Sequence, residues 1–97
     1  METVVEKNAS MNSLVGGWSM YHELNVNDLT VFNEALNGLL GVNYTPQLVS
    51  SQIVTGENYK FKCLAQPSVL AILQYEAIIQ IFKPLKGAPF ITHITSL

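Results

Sequence analysis

The sequence predicts an α+β domain, with one α-helix packed across a curved antiparallel β-sheet of four to five strands. Three observations predict it. A single stretch, Asn27 to Leu40, repeats its apolar residues at three- and four-residue spacing. The chain after Tyr44 alternates apolar and polar residues with the two-residue period of a strand. The whole chain has 97 residues, 48% hydrophobic and 12% charged, which suffices for one modest core and not for two.

Residues 1–13 are polar with isolated apolar side chains and read as a loose N-terminal tail, leaving 14–97 as the domain. After the pair Gly16-Gly17, Trp18-Ser19-Met20-Tyr21 reads as a first short strand. Asn25-Val26-Asn27-Asp28 starts the helix, with Asn27 expected as N-cap and Asp28 set against the positive end of the helix dipole. Leu29, Phe32, Ala35, Leu36, Leu39 and Leu40 then form one apolar stripe. Gly41 suits the C-terminal cap, which gives a helix of about 13 residues.

In Glu57 to Ala65, Tyr59, Phe61, Cys63 and Ala65 share one strand face, while Lys60 and Lys62 point the other way. In Ala71 to Phe82, one face holds Ala71, Leu73, Tyr75, Ala77, Ile79 and Ile81. Ala, Leu and Glu also favour a helix there, but the persistent alternation and recurring Ile favour a strand. The group Pro84-Leu85-Lys86-Gly87-Ala88-Pro89 breaks the pattern, and Phe90 to Leu97 forms a last strand. A sheet with one polar face, covered on its other face by the helix, buries all these stripes together.

One segment breaks the rules of turn chemistry. Gln52-Ile53-Val54-Thr55-Gly56 joins two predicted strands, yet it carries Ile and Val where Asn, Asp, Gly or Pro is usual; the alternative keeps Ile53 and Val54 in the strand and shifts the turn to Thr55-Gly56-Glu57-Asn58. Apolar surface on an exposed turn implies a partner that covers it.

Composition narrows who that partner is. Net charge is −2 and no element carries a basic stripe, which argues against nucleic acid. No apolar run reaches the roughly 18 residues of a membrane span, and the nearest, Val69 to Phe82, is interrupted by Gln74, Glu76 and Gln80. The N-terminus lacks the layout of a signal peptide, and the lone Cys63 makes no internal disulfide, so a cytoplasmic, reducing location is expected. A secreted mature form is the alternative, and only there would the sequons at Asn8 and Asn43 matter. No enzyme is expected. Cys63 sits on an apolar strand face, away from the pattern of a cysteine–histidine pair with His22 or His93. Glu23, Asp28, Glu34 and Glu76 are scattered, and no cluster at metal-ligand spacing or cofactor motif occurs.

Leu14-Val15-Gly16-Gly17 followed by Gln52-Ile53-Val54-Thr55-Gly56 resembles the N-terminal trunk and the Gln-x-Val-x-Gly motif of the cystatins, tight reversible inhibitors of papain-like cysteine proteases. The resemblance runs over nearly the whole chain from Leu14. Gly-Gly-Trp-Ser and Tyr75-Glu76-Ala77 look most like plant-type cystatins, as in part does Leu29-Thr30-Val31-Phe32. The absence of paired cysteines resembles stefins and plant cystatins, and not the secreted, disulfide-bonded type.

The resemblance implies a cystatin-like fold and an occluding, non-covalent mode of inhibition. Val15 and Leu14 would enter the protease's non-primed pockets, Gly16 would let the trunk pass close and bend away, and Gly17 follows it. Gln52 to Gly56 would sit beside the catalytic cysteine, and the Pro84-Leu85 turn would complete the wedge. Plant and secreted cystatins usually carry Pro-Trp at this turn, so Leu85 is a departure that lowers affinity or shifts target choice. The alternative function is a cystatin-fold interaction module, or scaffold, that has lost inhibition. A monomer is expected. A strained hairpin at Ile53-Val54-Thr55 is also a place where two chains can swap strands into a non-inhibitory dimer.

Overall fold

A computed structural model describes residues 16–97 of the chain. The element order is α1 (Val26–Leu36), β1 (Val42–Val54), β2 (Gly56–Pro67), β3 (Tyr75–Lys83) and β4 (Phe90–Ser96). The strands form one antiparallel sheet in the order β1-β2-β3-β4, so each sequence neighbour is also a spatial neighbour. The expected α+β layout is therefore present, with four strands in the sheet.

Helix α1 begins two residues earlier than expected. Its N-cap is Asn25, whose side chain accepts from the Asp28 N–H at 2.8 Å while the Asp28 carboxylate accepts from the Asn25 N–H at 3.0 Å. This reciprocal pair needs an acceptor three residues after the cap. Asn27 has Thr30 in that place, whose hydroxyl is turned back along the helix to donate to the Val26 carbonyl at 3.0 Å. The helix stops at Leu36 with Asn37 as C-cap, short of Gly41. Gly38 and Gly41 both take positive φ in the turn that follows, so Leu39 and Leu40 leave the helix and face outward.

The buried helix face is also rotated from the expected stripe. Val31 and Phe32 reach the core, Ala35 and Leu36 flank it, and Leu29 stays outside. Phe32 meets Phe61 edge-on, with ring centroids 4.9 Å apart. Val49, Tyr59, Phe61, Cys63, Ile79 and Ile81 supply the sheet side of this core, one face of β1, β2 and β3. Tyr59, Phe61, Cys63 and Ala65 are buried, as their alternation predicts.

Strand β3 starts at Tyr75, four residues later than expected. Tyr75 pairs with Ala65, the last β2 residue opposite β3, and the chain from Ser68 to Gln74 turns between the two strands. Ala71 and Leu73 therefore lie outside the core. The expected first strand at Trp18 to Tyr21 is present only as two isolated antiparallel bridges, Trp18 with Gln52 and His22 with Val49. That segment covers the second half of the β1 edge. The first half is interrupted at Pro46, where the register slips by one residue before Leu48.

Among the described residues, no helix is long and apolar enough to cross a membrane.

Candidate functional site

The β1–β2 hairpin closes with a single residue at its tip. Val54 pairs with Gly56, Ile53 with Glu57 and Gln52 with Asn58, leaving only Thr55 between the strands. Ile53 and Val54 are thus the end of β1, where a turn was expected to begin, and Gly56 is already β2. Both apolar side chains remain exposed, at 44% and 38%. They are held in extended backbone by the ladder while presenting their surface to solvent.

Gly56 permits this reversal for two separate reasons. Its φ is +104°, a conformation that side chains with a Cβ resist. A Cβ there would also lie 2.6 Å from the Lys83 carbonyl oxygen and 2.9 Å from Phe82 Cζ. This close approach lays the first hairpin against the end of β3, where the β3–β4 connection begins. A cleft of about 150 Å³ lies at the seam, lined by Gly56, Glu57, Lys83, Pro84 and Leu85. Leu85 is 76% exposed beside it.

The chain entering the domain reaches the same end of the sheet. Gly16 donates its N–H to the Ile53 carbonyl at 2.9 Å. Its own carbonyl accepts from Gln52 Nε2 at 2.9 Å, and Gln52 Oε1 accepts from Asn58 Nδ2 at 2.9 Å. Gln52 is therefore a polar clasp between the entering strand segment and both strands of the hairpin. Ser19 continues the attachment, its hydroxyl accepting from the Ser51 N–H and its carbonyl from the Ser50 hydroxyl. Trp18 is half-buried under Lys60, whose Nζ lies 4.0 Å from the ring centroid.

Gly16, Gly17, Gln52, Ile53, Val54, Thr55, Gly56, Pro84 and Leu85 are thus gathered along one end of the molecule. Leu14 and Val15, named with them from the sequence, lie outside the described residues. Three further residues belong to this end and were not singled out: Asn58, which holds Gln52, and Glu57 and Lys83, which line the cleft. Asn58 was within reach of sequence reasoning, because a one-residue tip at Thr55 sets it opposite Gln52.

Elsewhere, Cys63 is fully buried, and burial pushes its thiol up to about 12, so it stays protonated near neutral pH. His22 spends Nδ1 on the Glu23 carbonyl. Among the described residues, no three His, Cys, Asp or Glu side chains converge to hold a metal ion. No protein-family model matches the chain, and no curated protein matches it.

Proposed function

We propose that the protein is a reversible, tight-binding, non-covalent inhibitor of papain-like cysteine proteases, built on a cystatin-like fold. The observation that carries this reading is the meeting of three distant chain segments in one blunt edge. Gly16 is bonded to Ile53 and Gln52, while Gly56 abuts the Lys83-Pro84-Leu85 segment. That is the order and spacing of trunk, first hairpin and second hairpin that the cystatin resemblance implies.

The edge suits occlusion of a cleft. Its side chains Ile53, Val54 and Leu85 are exposed and apolar. Desolvating them in a protease cleft supplies affinity at roughly 25 cal/mol per Å² of apolar surface. Ile53 and Val54 are β-branched and already held in a ladder, which spares part of the roughly 0.5–1.5 kcal/mol that each immobilised side chain costs on binding. Leu14 and Val15, immediately before Gly16, would extend the contact along the non-primed side. Leu85 gives less than a Trp at that place would, by about 1–3 kcal/mol.

The test is a titration of papain with the purified chain and with two variants, Val54→Asp and Leu85→Glu. Both positions are exposed, so the fold should persist, as far-ultraviolet circular dichroism would report. Stoichiometric inhibition by the unsubstituted chain, weakened at least tenfold by each variant, supports the reading. Absence of inhibition at micromolar concentration by a folded chain would overturn it and favour the reading of an interaction module, for which Leu85 in place of Trp is the specific argument.

A further inference from the structure

The end of the sheet opposite the wedge carries an apolar surface that inhibition does not use. Strand β1 runs 13 residues from Val42 to Val54, which separates the two ends by about 40 Å. At the far end two loops lie side by side: the turn leading from α1 into β1, and the connection from β2 to β3. Ser68 N–H donates to the Gly41 carbonyl at 2.9 Å, and Val42 pairs with Pro67. Leu39 and Leu40 project from the first loop, and Val69, Leu70, Ile72 and Leu73 from the second. Leu40, Val69 and Ile72 are 89%, 97% and 93% exposed.

From these exposures the six side chains hold on the order of 700 Å² of accessible surface, above the few hundred Å² that soluble monomers usually leave uncovered. A standard stable interface buries about 800 Å² on each partner, so this surface is close to what a dimer needs. Charge selects the occupant. Residues 35–56 and 63–75 contain no Asp, Glu, Lys or Arg. The surface can therefore meet a copy of itself with no like charges opposed, as a two-fold contact demands. A lipid surface is the poorer match, since membrane-docking segments flank their apolar side chains with Lys, Arg and interfacial Trp. The charged residues that bound the neutral segments away from the wedge are Glu34, Lys62 and Glu76, a mixed set with a single basic side chain. Strand-to-strand pairing through the free half of β1 is also disfavoured, because Pro46 and its bulge interrupt that edge.

We infer that this end is a self-association surface, joining two copies of the chain through the Leu39-Leu40 and Val69-to-Leu73 loops with both wedges directed outward. Sedimentation velocity of the full chain, from micromolar to near-millimolar concentration, tests it. The mass should rise from 10.7 kDa toward twice that value. The double variant Val69→Glu/Ile72→Glu should remain monomeric over the whole range, and Leu40→Lys should weaken association at least tenfold. All three positions are almost fully exposed, so these variants should fold, with unchanged circular dichroism. Leu85→Glu, at the opposite end, should leave the dimer intact. An unsubstituted chain that stays monomeric at near-millimolar concentration overturns the inference. So does a dimer that survives Val69→Glu/Ile72→Glu, which would indicate strand exchange or another face. A monomer that co-sediments with phosphatidylcholine vesicles overturns it too and assigns the surface to lipid.

Discussion

Gly56 and Gly87 both adopt positive φ, +104° and +107°, yet they stand in different surroundings. A Cβ on Gly87 would meet nothing closer than Pro84 Cγ at 3.7 Å, an ordinary contact. On Gly56 it would press on the backbone oxygen of Lys83 at 2.6 Å, and backbone cannot rotate away as a side chain can. Gly87→Ala should therefore cost only the left-handed backbone term, about 1–2 kcal/mol. Gly56→Ala should cost that and more, about 3 kcal/mol or above, because β2 and β3 must also separate locally. Urea midpoints of the two variants against the unsubstituted chain measure the difference. Equal losses would mean that the approach to Lys83 is relaxed at no cost and does not set the seam between the hairpins. The sequence made Gly56 legible as a turn residue. Its second role was hidden, since Lys83 lies 27 positions away and only the β2–β3 register brings it there.

At the scale of the element, α1 shows how near-equivalent signals mislead by a turn fraction. Asn25, Asn27 and Asp28 can each cap a helix, and the apolar spacing that follows points to Asn27. The capping box decides otherwise, because only Asn25 has a carboxylate three residues ahead. Asn25→Ala should then destabilise the fold by about 0.5–2 kcal/mol, while Asn27→Ala should change it by a few tenths at most. Thermal midpoints should separate the two, at about 4–8 °C per kcal/mol for a domain of this size. A larger loss at Asn27 would restore it as the cap. Strand β3 begins later than its alternation predicts for a related reason. Ala71 and Leu73 keep the alternation of the strand that follows, and the turn they occupy contains no Gly or Asn to announce it. Tyr75 is where pairing with β2 begins, and pairing is a property of two segments that neither shows alone. Strand β2, by contrast, is legible almost in full, because Tyr59, Phe61 and Cys63 join the core with Val31 and Phe32 of the helix, and Ala65 is buried on the same face.

Across the whole molecule, charge and apolar surface are distributed so that the proposed inhibitory end depends little on electrostatics. The residues that would enter a protease cleft, Gly16 and Gln52 to Gly56 with Pro84 and Leu85, are all uncharged. Glu57, Lys83 and Lys86 stand beside them with mixed sign, and the chain carries a net charge of only −2. Exposed charges of this kind act through solvent, and their range shrinks from about 14 Å at 0.05 M salt to about 3 Å at 1 M. Apolar burial and hydrogen bonds to backbone are barely weakened over the same interval. If the wedge binds as its surface suggests, its association rate and dissociation constant with papain should each change by less than about threefold across that range. Stopped-flow inhibition at 0.05, 0.2 and 1 M sodium chloride measures both, with those concentrations chosen to take the screening length from about 14 Å to about 3 Å. A weakening of tenfold or more would move the energetic weight from Ile53, Val54 and Leu85 onto Lys83, Lys86 and Glu57. Repeating the series with Lys86→Ala would then show which ion contact the protease supplies, since removing that side chain flattens the salt dependence only if it is the one engaged.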